Sequence, residues 1–484
     1  MSGYIKKKID VNQYSMMPMC YDDMIAEDNP VRVLDAFVEA LDMEKLKFTR
    51  ATVNISKAGR PGYNPKDMLK LYLYGYFNGI RSSRKLEKEC HRNIELFWLI
   101  GELKPDFKTI ADFRKDNINS IKGVFAEFSI LCDDLKLIGK EIVAIDGSKF
   151  RASNSRKKNY TEGKVEKQLK YYQETAERYI KLLEEEDKNE SETKVTINKK
   201  EIQQKIEKAK KRIEELEELK EDIRKNGEKS ITDPDSKHMK ANNNGTDIAH
   251  NVQISVDAKK HLVIAIDVTS KAADQGQLYH MSDKSKKALG VKKLTVLADK
   301  GYWSGECLRK CEENEIIAIV SKAEEPGNTG YKKSDFKYNK EEDCYICPEG
   351  KKLYRNGIKN AVYRNGKACK ECLNRDKCTR NKRGKTLAVS RNEEYLIRAA
   401  KRQEENMELY KERQKIVEHV FGTIKRALGY THFLLRGNEK VKGETFMHFL
   451  IYNIKRVCNI KDVKEIITAI KTRKAKKFYI FSAF

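Results

Sequence analysis

The sequence predicts a mixed α/β protein with a helical N-terminal region and two insertions in its central sheet. Three observations carry that reading. Apolar runs at 140–150 and 293–299 each deliver an aspartate to a strand end, residues 160–228 switch to long charged helical patterning, and five of eleven cysteines crowd residues 344–378. The 484 residues suffice for two or three domains with sizeable cores. Hydrophobic residues make up 39% and charged ones 35%, and 98 Lys and Arg against 73 Asp and Glu leave a net charge of +25. So basic a chain usually faces a polyanion, and nucleic acid is the commonest one. No run approaches the ~20 consecutive apolar residues of a membrane span, and MSGYIKKKIDVNQYSMM lacks the apolar core of a signal peptide. A cytoplasmic, nucleoid-associated protein is expected, in which clustered cysteines read first as metal ligands.

Residues 1–135 read as helical. Met68, Leu69, Tyr72, Leu73, Tyr76 and Phe77 fall at helical spacing, with Asn64-Pro65 as a start, Gly79 as a stop, and Ser82 or Ser83 capping a second helix. A pair of helices this rich in Arg and Lys suits DNA, although basic helices are often only solvated faces. The strand KEIVAIDGSKF follows and is expected to end on Asp146. Residues 160–228 then form an antiparallel helical hairpin, with Ile202, Ile206, Ala209, Ile213, Leu216 and Ile223 as its stripe. HNVQISVDAKK and HLVIAIDVTS make a hairpin around Lys259-Lys260. A helix at 274–290, the strand closing on Asp299, a helix at 303–313 and a strand at 315–322 complete the series. Residues 326–390 are Cys-, Lys- and Gly-rich, and one long helix is expected from Glu393 to about Leu428. The division is therefore 1–135 (helical, DNA-binding), 136–159 with 229–325 and 391–460 (catalytic), 160–228 (hairpin), 326–390 (Cys-rich) and 461–484 (basic tail).

Without its insertions, the order is three hairpin-connected strands followed by β–α–β units and a long helix, which matches a ribonuclease H-like arrangement. There the first strand is central and the strand after the first helix lies beside it, so Asp146 and Asp299 become neighbours. Two such carboxylates ionise together only around a cation. Mg²⁺ takes oxygen ligands and keeps waters to exchange for phosphate, and two such ions can clamp an in-line phosphoryl transfer. Glu418, at the edge of the stripe Ile416, Val417, Val420, Phe421, Ile424 and Leu428, is the candidate third acid. Lys425 lies two helical turns on, on the same face, and Arg413 precedes Glu418 by five residues.

Asp146 in VAIDGSK, Asp299 in VLADKGY and Glu418 in IVEHVFGTIK resemble the three acids of DDE-type insertion-sequence transposases. Tyr410, Arg413, Glu418 and Lys425 resemble the signature around the glutamate in one large branch, with two residues between Tyr and Arg and six between Glu and Lys. That branch usually has three residues between Arg and Glu, where this chain has four. GYFNGIRSSRKLEKEC…FWLIGELKPDFKTIADFRK and DPDSKHMK…AHNVQISVDAKKHLVIAIDVTSKAADQGQL resemble the same family. The resemblance implies transposition of DNA with Mg²⁺, terminal inverted repeats as substrate, Lys425 and Arg413 on phosphate, and a homodimer that joins two ends.

Competing readings stand beside each residue. Aspartates at strand ends are more often turn residues, and Asp267 competes with Asp146. Gly147 and Ser148, which open the strand end to a substrate, favour Asp146. Asp267 and Asp274 remain as supporting residues, and His419 has no expected catalytic part. Tyr302 and Trp303 either stack on a displaced base or pack in the core. Cys344 and Cys347 form one CxxC and Cys369 and Cys372 another, which in a reducing compartment reads as structural Zn²⁺. The family's CPxG turn, CxxC and later Cys imply Cys347, Cys369, Cys372 and Cys378, whereas plain ribbon spacing replaces Cys378 with Cys344. The adjoining NKRGK is placed to touch DNA phosphate. Two other functions share these features: a nuclease or resolvase without strand transfer, and a non-catalytic DNA-binding regulator derived from a transposase.

Overall fold

The computed structural model describes residues 20–51, 62–188, 199–240, 245–322, 331–356 and 361–473. It divides into one unit of Met1–Ile138, Thr423–Tyr430 and Phe446–Ser482 and another of Gly139–Gly422, Thr431–Thr445 and Ala483–Phe484. Residues 474–484 of the basic tail lie outside the described residues. No helix among those described is long and apolar enough to cross a membrane.

The first unit begins with α1 (Val31–Glu39), α2 (Pro65–Phe77), α3 (Ser83–Glu89), α4 (Ile94–Ile100), α5 (Phe107–Asn117) and α6 (Ile121–Asp134). Local chemistry sets their ends. The Asn64 side chain accepts from the Lys66 N–H with Pro65 at the first helical position, and Asn93 and Asp106 cap α4 and α5 in the same way. The Ser82 hydroxyl, by contrast, makes no cap bond at α3. Aromatic pairs fill the core: Phe37 on Phe128, and Tyr72 stacked on Phe113.

The second unit opens with β1 (Ile142–Arg151), then β2 (Asn159–Tyr160), α7 (Glu162–Lys188), α8 (Lys199–Asn226) and β3 (Lys229–Ser230). β2 pairs with β3 at the base of the helical hairpin, where Tyr160, Val165, Leu169, Leu216 and Ile223 form a small core of their own. β4 (Lys237–Lys240), β5 (Thr246–Asp257), β6 (Val263–Thr269), α9 (Leu278–Leu289), β7 (Leu294–Ala298), α10 (Gly305–Glu313) and β8 (Ile316–Val320) follow. The main sheet runs β4-β5-β1-β7-β8, with β6 also on β5. β1 is central, antiparallel to β5 and parallel to β7.

β9 (Lys337–Asn339), β10 (Cys344–Ile346), β11 (Lys352–Asn356), β12 (Ala361–Arg364), α11 (Gly366–Lys370), α12 (Arg375–Cys378) and β13 (Thr386–Val389) build a separate five-stranded sheet. Phe336, Tyr345, Leu353, Tyr363 and Leu387 are buried on one of its faces. The chain continues as α13 (Glu393–Glu405), α14 (Met407–Gly422) and a π-helical turn, Thr423–Ala427. It ends with α15 (Asn438–Ile460) and α16 (Val463–Thr472).

Two expectations are corrected here. β1 does not end on Asp146: it continues to Arg151 because β5 pairs along its whole length, Val143↔Asp257 through Arg151↔Ala249. The single helix from Glu393 is two helices and a π turn. Asn406 divides them: its backbone leaves helical angles (φ −118°, ψ 34°), while its side-chain amide donates to the Arg402 carbonyl that its own N–H also reaches.

Candidate active site

Strand register brings the two aspartates together. β1 and β7 pair through Ala144↔Leu297, and β7 then leaves the sheet. Two further residues along each strand stand Asp146 and Asp299, so they meet where the parallel pairing opens. Asp146 thus sits at the tip of the β1–β7 pair, not at the tip of β1. Asp299 also caps the turn that follows, accepting from the Gly301 N–H at 2.8 Å. The turn-capping and site-forming readings of this residue are therefore compatible.

Burial pushes the Asp146 carboxyl up to about 6. The Gly147 N–H and the Arg413 guanidinium pull it down, and the carboxylates of Asp299 and Asp274 raise it further. Asp146 lines a cavity of ≈ 360 Å³ with Gly147, Ser148, Lys149, Lys240, Ala272, Glu418 and Phe421. α14 reaches this cavity by burying Ile416, Val417, Val420 and Phe421, and Phe421 packs on Phe150 of β1. Glu418, exposed on the other side of that stripe, shares the space with Asp146.

A polar network lies under the site. Asn251, Gln253, Ser255 and Asp257 occupy alternate positions of β5 and are wholly buried. Asn251 and Gln253 each donate to Asp274 Oδ1 at 2.7 Å, and Lys149 Nζ lies 3.3 Å from Asp274 Oδ2. The Tyr302 hydroxyl donates to Gln253 Oε1. Burial raises that phenol well above its usual value, and Asp274, Asp146 and Asp299 add to the rise. A Cβ on Gly147 would fall 2.2 Å from Gln253 Nε2 and 2.7 Å from Asp274 Oδ1, so only glycine fits there. Sequence reasoning kept Asp274 at the margin and missed Asn251, Gln253 and Lys149. The available signal was the alternation of Asn251, Gln253, Ser255 and Asp257 with Val252, Ile254 and Val256 along one strand.

The remaining candidates divide. Asp267 opposes Gln253 across β5–β6 and is held by His280, by Lys284 at 3.5 Å and by Lys442 at 2.8 Å. Burial works to raise its pKa, but the hydrogen bond to His280 and the charges of Lys284 and Lys442 keep it far below the ordinary value. It is an ion-paired support away from the Asp146 cavity. Tyr302 is fully buried and bonded, so its ring packs and does not stack on a base. Trp303 and Tyr410 are half-buried. Arg413 stands close enough to Asp146 to act on its charge. Lys425 lies in the π-helical turn Thr423–Ala427, which belongs to the first unit.

Cys347, Cys369, Cys372 and Cys378 line one cavity of ≈ 30 Å³, with room for about one ion, whereas Cys344 is buried in β10 away from it. Burial raises the Cys378 thiol, Lys385 lowers it, and the other three thiols raise it again. The Lys351 N–H donates to Cys347 Sγ at 3.3 Å, a bond that suits a thiolate ligand. Among the described residues, however, no three His, Cys, Asp or Glu side chains stand in metal-ligating arrangement, here or around Asp146.

Residues 19–116 match the family profile Transposase domain (DUF772), and residues 226–454 match Transposase DDE domain. Among curated proteins none matches the chain. A cryo-EM structure of the piggyBac transposase synaptic complex with hairpin DNA aligns over 94% of this chain and 84% of that one, at 8% identity and a TM-score of 0.33. A likeness at that level carries no argument. With the two profiles in sequence order, the chain carries a DUF772 transposase domain followed by a transposase domain of the DDE type.

Proposed function

We propose that the protein is a DNA transposase that cleaves insertion-sequence ends and joins them to target DNA by two-metal phosphoryl transfer. Its reading rests on one observation: two strand-borne aspartates in shared register, with a helix-borne glutamate on the cavity of the first. Asp146, Asp299 and Glu418 are the acids that would hold two Mg²⁺ ions. The donor set fits hard cations, being carboxylate oxygen throughout. Burial, with the carboxylates of Asp299 and Asp274 adding to it, raises the Asp146 carboxyl to about 6, and a cation bound there would favour its charged form. Bound there, the ions would lower the pKa of a nucleophilic water or 3′-hydroxyl and stabilise charge on the leaving oxygen.

The chain's own residues do the positioning. Asp274, fixed by Lys149, Asn251 and Gln253, keeps β1 and β5 in place beneath the acids. Arg413 and Lys425 supply positive charge for DNA phosphate, with Tyr410 and Trp303 as further DNA contacts. The helical domain 1–135 grips the terminal repeat, while 136–159, 229–325 and 391–460 form the catalytic domain, and two copies pair two ends. Cys347, Cys369, Cys372 and Cys378 would hold a structural Zn²⁺ that staples the 326–390 insertion, whose sheet has a small core.

The test uses full-length protein, a duplex carrying the element's end, and Mg²⁺. Nicking that needs Mg²⁺ and is abolished in Asp299→Asn is expected, with joined products from a pre-cleaved end. Cutting without joining would favour the nuclease reading. If Asp299→Asn cut as well as the parent, the site assignment would fall.

A further inference from the structure

Charge is unevenly spread along this chain. Residues 331–392 hold 18 Lys and Arg against 7 Asp and Glu, whereas the whole chain holds 98 against 73. Within 366–385, the excess sharpens to 8 against 2. The helical hairpin is also charge-rich, but its charges balance: residues 160–228 hold 17 Lys and Arg against 19 Asp and Glu, and Lys220 pairs with Glu166, Arg224 with Glu162 and Arg212 with Glu215. Lys367, Lys370, Arg380, Lys382 and Arg383 of the Cys-rich lobe are exposed and make no ion pair among the described residues. Like charges left this close and uncompensated repel one another, and a polyanion relieves that repulsion.

One apolar residue stands among them. Leu373 is 102% exposed, between Cys372 and Asn374. Single surface leucines are ordinary. The backbone around this one, however, is held on both sides. The Arg375 N–H donates to the Cys372 carbonyl and the Cys378 N–H to the Asn374 carbonyl. Arg375 Nη2 donates to the Lys382 carbonyl, tying the Leu373 turn to the basic 379–383 turn. An apolar side chain carried into solvent on a held backbone turn, in a lobe with excess cations, has the chemistry of an architectural DNA wedge, which unstacks a base step while the cations hold the phosphates.

We infer that this lobe is a second duplex-DNA surface, in which Lys367, Lys370, Lys382 and Arg383 take backbone phosphates and Leu373 enters between base pairs. The inference rests on the DNA-transposase reading but not on its catalytic acids.

The experiment follows binding of full-length protein to a fluorescein-labelled mixed-sequence duplex by anisotropy over a salt series, without added divalent cation. Each lost phosphate contact lowers the log K against log salt slope by about 0.9. The combined Lys367→Gln, Lys370→Gln, Lys382→Gln and Arg383→Gln variant should lose about 3 to 4 from the slope. Lys167→Gln with Lys170→Gln and Arg178→Gln, on the hairpin, should lose none. Leu373→Ser should keep the slope but abolish the fluorescence rise of a 2-aminopurine placed in the duplex. If the fourfold variant melts below the parent, Lys382→Gln with Arg383→Gln replaces it, with an expected loss of about 2. A parental slope in the folded variant overturns the surface, and an undiminished 2-aminopurine signal in Leu373→Ser overturns the wedge. If Asp299→Asn cleaves normally in a separate assay with Mg²⁺, the acid assignment fails while the lobe result stands.

Discussion

Gly147→Ala is the sharpest probe of how the site is built. The new Cβ would lie 2.2 Å from Gln253 Nε2 and 2.7 Å from Asp274 Oδ1. Ordinary contact needs about 3.4 Å or more, so one partner must retreat by about 1 Å. Neither does so freely. Gln253 is buried on a central strand and bonds to Asp274, Asn251 and Tyr302, and Asp274 is also held by Asn251 and Lys149. Overpacking costs about 1–3 kcal/mol, and a buried hydrogen bond left unmade adds about 1–3 kcal/mol. In a unit of this size about 3 kcal/mol lowers the melting temperature by about 6 °C. Because Gly147 adjoins Asp146, Mg²⁺-dependent nicking should fall at least about tenfold even below the melt, since small misplacements at a reacting centre are costly. Calorimetry and an end-nicking assay check both halves. A variant that melted and nicked like the parent would refute the close-packed network beneath the acids.

Three further outcomes follow from the charges and the thiols. A carboxyl raised from 3.8 to about 6 destabilises the metal-free fold by about 3 kcal/mol above pH 6, and that penalty fades as pH falls toward 3.8. Asp146→Asn should therefore raise the metal-free melting temperature at pH 8, by about 6 °C, and change it little at pH 4; equal effects at both would contradict the buried-acid account. Asp267 behaves oppositely, since its lowered value gives stability that is present above the ordinary carboxylate range and lost as pH falls below it. Asp267→Asn should cost about 3 kcal/mol at pH 7 and progressively less below pH 4, as read by denaturant melts. On the proposed zinc reading, the parent carries zinc by elemental analysis, Cys369→Ser should lose it and lower the melt of the Cys-rich lobe, and Cys344→Ser should keep it.

Much of this arrangement is legible in the sequence because short-range chemistry decides it. The alternation of VAIDGSKF and LTVLA gives strands, Asn64-Pro65 gives the start of α2, and the stripe of α14 predicts which side packs on β1. What is not legible is set by partners distant in sequence. The point at which β1 stops pairing with β7 depends on a strand about 150 residues later, so Asp146 looks like a strand end when it is only the end of one pairing. The π turn at 423–427 cannot be read from an apolar stripe that suits an unbroken α-helix. Asp274 lies in a polar loop with no periodicity, and only the amides of Asn251 and Gln253 reveal its position.

The insertions bear on the same question, because the proposed site of Asp146, Asp299 and Glu418 tolerates them only if they leave the β1–β7 register alone. Each insertion closes on itself. Asn159↔Ser230 and Tyr160↔Lys229 pair across the base of α7 and α8, and Asn159 Nδ2 also bonds to Glu228. The start and end of the lobe are joined where Lys333 Nζ meets Glu393 Oε1 at 2.7 Å and the Ala388 carbonyl at 3.2 Å. Once its ends are fastened, further length inside an insertion constrains the sheet no more, and even an unfastened loop costs only about 0.6 kcal/mol per doubling. Loosening a fastening should therefore disturb catalysis through register more than shortening the hairpin does. Shortened α7 and α8 with β2–β3 intact should leave nicking near the parent's rate, and Asn159→Ala should lower it.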